Sequence, residues 1–95
     1  MFFVQLKFSN NKSQAGQLMA GHNEWIKHGF DDGVFLLVGS LRPNLGGGIL
    51  AHNTSLADIQ TRVEQDPFVA EDVVNAEILE ISPAKADKRL AFLLD

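Results

Sequence analysis

Residues 34–52 read VFLLVGSLRPNLGGGILAH. Val34 to Leu41 is an almost unbroken apolar run bounded by turn residues, which predicts a central strand. Arg42-Pro43-Asn44 and the glycines at 46 to 48 supply a bend. Gly48-Ile49-Leu50-Ala51-His52 then returns as a partner strand. Strands joined by so short a bend pair antiparallel. The segments on either side of this hairpin therefore decide the fold.

Upstream, Phe2 to Phe8 alternates. Phe2, Val4, Leu6 and Phe8 share one parity and Gln5 and Lys7 the other, as in a strand with one buried face. Asn11 then offers an N-cap, and Gln14 completes a capping box. Ala15, Leu18, Met19, His22, Trp25, Ile26 and Phe30 recur at spacings of three and four, forming one apolar stripe of a helix. Gly16 and Gly21 weaken that helix by about 1 kcal/mol each against Ala, and either permit close packing or only add flexibility. Gly29 or the turn Asp31-Asp32-Gly33 ends it.

Downstream, Thr54 or Ser55 caps a second helix whose narrow stripe is Leu56, Ile59 and Val63. Asp66-Pro67 closes it, because proline restricts the preceding residue to extended angles. Val73 to Ile81 alternates in part and reads as a fourth strand. The order is β-α-β-β-α-β. This is an α+β, ferredoxin-like arrangement: a four-stranded antiparallel sheet with both helices on one face, all within a single domain of residues 1–95. The other face is left bare, so a second subunit is expected to cover it, giving a dimeric α-β barrel. The tail, residues 85–95, ends in an apolar stretch that is expected to pack on a surface, its own subunit's or the partner's.

Composition narrows the function. With 95 residues and 45% hydrophobic content, seven of them Phe, the chain is long enough for one core and too apolar for disorder. A net charge of −4 with only eight scattered Lys and Arg argues against nucleic acid, because phosphate binding needs clustered cations. The absence of cysteine removes disulfides, thiolate catalysis and cysteine-ligated metals. The apolar start, MFFVQLKF, lacks the basic opening and long apolar stretch of a signal peptide. No run approaches the ~20 apolar residues of a membrane span. A soluble cytoplasmic protein is expected.

The stretch EQDPFV, residues 64–69, raises a second question. Asn, Ser or Gly would end a helix as well as Asp66. A carboxylate at a helix C-terminus is slightly disfavoured by the macrodipole, so Asp66 calls for a cation or hydrogen-bond donors. His22 is the odd member of the first helix's apolar stripe and points at the sheet. A buried imidazole needs both nitrogens satisfied, and a carboxylate is a good partner for one of them. In this topology the middle of the first helix lies near the end of the second. An Asp accepting from one ring nitrogen fixes the tautomer and leaves the other nitrogen as a base, suited to proton abstraction, elimination or isomerisation. On its own, a histidine on an apolar helix face is more often a satisfied core residue.

The pieces GHNEW, VFLLVGSL, GGGILA, DPFV and NAEILEI, in this order, resemble the YciI-like (YCII-related) family of small α+β proteins. The resemblance spans the chain to about Ile81, and the pairing of a first-helix His with DPF is its most specific element. It implies ferredoxin-like homodimers with a His-Asp active-site dyad, here His22 and Asp66. The family's enzymatic precedent, a dehydrochlorinase of a chlorinated hydroxyquinol, implies lyase-type proton chemistry without carrying over a substrate. Family strands often show Gly-Pro where this chain has Gly39-Ser40, which weakens any transfer of a role to Ser40.

Ser40 and Arg42 are weaker candidates for substrate binding. Ser40 has no nucleophile elbow around it. Arg42 at the strand end suits an anionic substrate or plain solvent. His28 and His52 show no ligand spacing with His22 or with each other; Asp31 and Asp32 are conceivable further ligands, but neither metal nor cofactor is expected. The glycines at 46 to 48 lack the Lys-Ser/Thr sequel of a phosphate loop. Three functions remain open: a small cofactor-free lyase- or isomerase-type enzyme, a module that binds a small molecule without turning it over, and a structural homodimer whose dyad fixes packing.

Overall fold

The computed structural model describes residues 1–94. Strand β1 is Phe2–Phe8, helix α1 Ala15–Asp31, strand β2 Phe35–Leu41, strand β3 Gly46–Ala51, helix α2 Leu56–Glu64, helix α3 Pro67–Ala70 and strand β4 Val74–Glu80. Short 3₁₀ turns precede α1 at Lys12–Gln14 and fall in the tail at Lys88–Leu93. The sheet is antiparallel throughout, in the order β2-β3-β1-β4. This is the ferredoxin-like arrangement. No helix among the described residues is long and apolar enough to cross a membrane.

The alternation of β1 does what its pattern predicts. Phe2, Val4 and Leu6 are buried against Ile49 and Ala51 of β3 and Val74 of β4, within one continuous cluster. Trp25 of α1, Ile59 and Val63 of α2 and Phe68 of α3 close that cluster from above. The Trp25 indole N–H is satisfied by the Arg62 carbonyl at 2.9 Å, and the Arg62 guanidinium reaches Asp32 at 2.8 Å. The two long helices are thus stitched together where they run side by side.

Four local expectations are corrected. The run at Val34–Leu41 does not form a central strand. β2 lies at the edge of the sheet, and β3 and β1 are central. A bulge between Phe35 and Leu37 shifts the register. Phe35 is therefore buried in the core while Leu37, 59% exposed, faces away from the helices. The capping box at Asn11 and Gln14 does not form. The Asn11 side chain instead donates to the Glu71 carbonyl at 2.9 Å, and Ser9 Oγ donates to Asp72 at 2.8 Å. These bonds tie the start of α1 to the entry of β4. Phe30 and Met19, placed on the buried stripe of α1, and Leu56, placed on that of α2, are 42–44% exposed; Phe30 meets Phe35 edge-on.

The fourth correction concerns Asp66. α2 stops at Glu64, and Asp66-Pro67 opens a new helix instead of closing the old one. Asp66 has extended angles (φ −65°, ψ 123°), Pro67 occupies the first turn, and the carboxylate accepts from the Phe68 N–H. A proline fits that first turn because its missing N–H would have no intrahelical partner there. The macrodipole argument therefore reverses: an acid at an N-cap is favoured.

On the outward face, Leu37, Leu50, Phe3 and Leu79 stand in register across all four strands. The tail passes nearby, where Phe92 meets His52 edge-on at 5.6 Å. Leu90, Phe92 and Leu94 remain 42–49% exposed. Asp95, the last residue of the tail, lies outside the described residues.

Candidate functional site

His22 sits midway along α1 and Asp66 at the head of α3. The α1–α3 approach is close because Gly21 carries no side chain: a Cβ there would lie 3.2 Å from the Pro67 ring. The imidazole Nδ1 lies 2.8 Å from Asp66 Oδ1. A carboxylate has no hydrogen to give, so Nδ1–H is the donor and the neutral ring keeps its lone pair on Nε2. Oδ1 also accepts from the Phe68 N–H at 3.0 Å. Asp66 is fully buried, and its Oδ2 meets no donor among the described residues. The two bonds to Oδ1 are therefore what hold this carboxylate in place.

Phe68 contributes its side chain as well. Its ring stacks on the imidazole with centroids 3.9 Å apart and planes 3° from parallel. The Trp25 ring lies 6.0 Å from the imidazole, centroid to centroid. The imidazole is thus fixed by one hydrogen bond and by aromatic packing. The His22 side chain is 13% exposed. No hydrogen bond to Nε2 occurs among the described residues, and the ring lines a cleft of about 280 Å³ between α1 and the sheet.

The cleft brings His22, Met19 and Ile26 of α1 together with Ser40 of β2, Gly47 of β3 and Phe68. Ser40 shares the helix-facing side of β2 with Val38 and pairs with Gly47. Its hydroxyl forms no hydrogen bond to the described residues. Arg42 is not brought to the site. It is exposed just past the end of β2 and is not part of the cleft wall. A larger concavity of about 810 Å³ lies between the tail and Leu36, Leu37 and Leu50, and the dyad has no part in it. No group of three or more His, Cys, Asp or Glu side chains among the described residues is placed to hold a metal.

Phe68 and Gly47 were missed as site residues in the sequence. A Phe two positions after an Asp-Pro N-cap is placed to offer both an N–H and a ring, but only if a helix begins there. Chemically, the arrangement can accept a proton at Nε2 while Asp66 stabilises the imidazolium that forms.

No protein-family model, curated protein or solved structure matches this chain.

Proposed function

We propose that this chain is a YciI-like, cofactor-free enzyme of lyase or isomerase type. His22 is the general base and Asp66 orients it. The substrate is a small molecule held in the cleft between α1 and the sheet. The observation that carries the reading is the 2.8 Å contact between Nδ1 and Oδ1, made by a ring whose other nitrogen is unbonded and which forms part of the cleft wall. A histidine serving only the core would have both nitrogens satisfied. We place the active form in the cytoplasm as a homodimer, with the outward sheet face covered by a second copy.

The test is a screen for solvent-deuterium incorporation and elimination across small carbonyl and halogenated compounds. An activity found there falls by about 10²–10⁴-fold in His22→Ala and is partly restored by added imidazole. Turnover unchanged in His22→Ala removes the reading.

A second reading has its own support. Asp66 caps α3 through the Phe68 N–H, so its carboxylate has a structural task whatever the chemistry. Under that reading the chain is a non-catalytic ligand-binding or structural module. His22→Ala then lowers stability or breaks the dimer, and there is no activity to lose.

A further inference from the structure

We propose that Gly47 is a specificity-determining residue, whose missing side chain forms the floor of the cleft and fits it to an uncharged, compact, largely apolar ligand. The proposal rests on the cleft assigned above to the substrate and states what that cleft accepts.

The three glycines that open β3 have different reasons to be glycine. Gly46 has φ +131°, and a Cβ there would run into the Leu6 carbonyl. Gly48 lies on the outward face, where a Cβ would press on Phe3 and Leu41 at 3.1 and 3.2 Å. Gly47 is under neither constraint. Its φ lies outside the left-handed region, and the nearest atom to an added Cβ is the Gly39 carbonyl oxygen at 3.4 Å. A glycine inside a strand lowers stability and often marks a close approach by a ligand or another backbone. Apart from that carbonyl of the neighbouring strand, nothing lies within 4 Å of the added Cβ. What lies over it is the cleft.

Its position in the ladder fits that role. Gly47 pairs with Leu6 on one side and Ser40 on the other, and all three belong to the cleft wall. α1, with His22, forms the opposite wall. A molecule resting on the bare backbone of Gly47 meets a wall that also holds Ser40 and His22. Any side chain at residue 47 would project into that space.

The wall also selects by charge and size. No Lys, Arg, Asp or Glu lines the cleft, and its polar side chains are His22, Asn23 and Ser40. A charged ligand would lose its hydration without gaining a counter-ion. The volume of about 280 Å³ is roughly twice the ~150 Å³ that admits a benzene. One six-membered ring with small substituents fills it.

The experiment follows backbone amide shifts while the protein is titrated with three near-isosteres: cyclohexanol, cyclohexanecarboxylate and cyclohexylammonium. Cyclohexanol is expected to give saturable shifts at Ser40, Gly47 and Ile49, and the two ions none there. Gly47→Ala is expected to weaken cyclohexanol binding and Gly47→Val to abolish it, with both variants melting cooperatively. Should Gly47→Val not fold, the single methyl of Gly47→Ala decides. Wild-type affinity in Gly47→Ala, equal binding of an ion, or no saturable shift in the wild type overturns the proposal. The two readings fail separately: turnover unchanged in His22→Ala removes the base and leaves the wild-type cyclohexanol titration standing, whereas wild-type affinity in Gly47→Ala removes the floor and leaves the base standing.

Discussion

Phe68 lies flat on the His22 ring, 3.9 Å from it and 3° from parallel, while its own N–H bonds the carboxylate that accepts from the ring's Nδ1 edge. One residue thus restrains both members of the dyad. Phe68→Leu keeps the N–H and most of the volume and is expected to cost about 1 kcal/mol. Phe68→Ala empties a core position and is expected to cost about 3–5 kcal/mol. Urea denaturation reads both. A loss below 1 kcal/mol in Phe68→Ala would show that the stack is loose.

Asp66 has two tasks that substitution can separate. Asn caps a helix as well as Asp, whereas Ala forfeits about 1 kcal/mol of capping. Asp66→Asn is therefore expected to keep its stability. Its amide can also offer an N–H to the ring, so the Nδ1–H preference of His22 is expected to weaken. Long-range ¹H–¹⁵N correlation of the imidazole reports the tautomer. An unchanged tautomer pattern in Asp66→Asn sinks the orienting role.

The helix glycines give a pair of opposite predictions. Gly16 faces open space, and Gly16→Ala is expected to raise stability by about 0.5–1 kcal/mol. Gly29 lies against the Phe35 ring, with no room for a Cβ. Gly29→Ala is expected to lower stability by about 1–3 kcal/mol through overpacking. Thermal melts of the two variants should move in opposite directions.

The tail carries a pH signature. The Arg89 N–H, and then its guanidinium, hold the Asp87 carboxyl below its ordinary value of 3.8. A depressed carboxylate stabilises its fold above the unfolded pKa and loses that contribution as pH falls through the folded pKa. The turn at Lys88–Leu93 is therefore expected to loosen only in acid below pH 3.8. The Arg89 amide shift, followed with pH, should have its midpoint there.

Leu37 and Leu79 stand on the outward face, 59% and 42% exposed. A charge at either position should cost the isolated subunit no more than about 0.5 kcal/mol. It should abolish pairing through that face. Sedimentation is expected to show a dimer for the wild type and a folded monomer for Leu37→Glu. A monomeric wild type removes the second copy from the proposal.

The strands and long helices were legible because their burial is periodic: Phe2, Val4 and Leu6 alternate, and Ile59 and Val63 fall one helical turn apart. The position of β2 was not legible. A run that is apolar on both sides looks central, yet Phe35 faces the core and Leu37 the outside, for unrelated reasons. α3 was hidden because four residues are too few for a period to show. In sequence Asp-Pro looks like a stop; in the fold it is a start. The meeting of His22 with Asp66 could be anticipated from the topology, since both lie where the helices approach each other. Gly47 could not, because in sequence it is indistinguishable from the turn glycine beside it.

Because β2 is an edge, half of its backbone groups have no ladder partner in the sheet, and such a row is a template for recruiting foreign strands. Here the template is interrupted. The bulge between Phe35 and Leu37 puts it out of phase, and Gly39 breaks its side-chain row two residues later. An incoming chain finds only the short stretch Leu37–Leu41 in regular register. The irregularity between Phe35 and Leu37 thus disfavours the recruitment of a foreign strand along β2, whereas the opposite edge, β4, keeps an unbroken register.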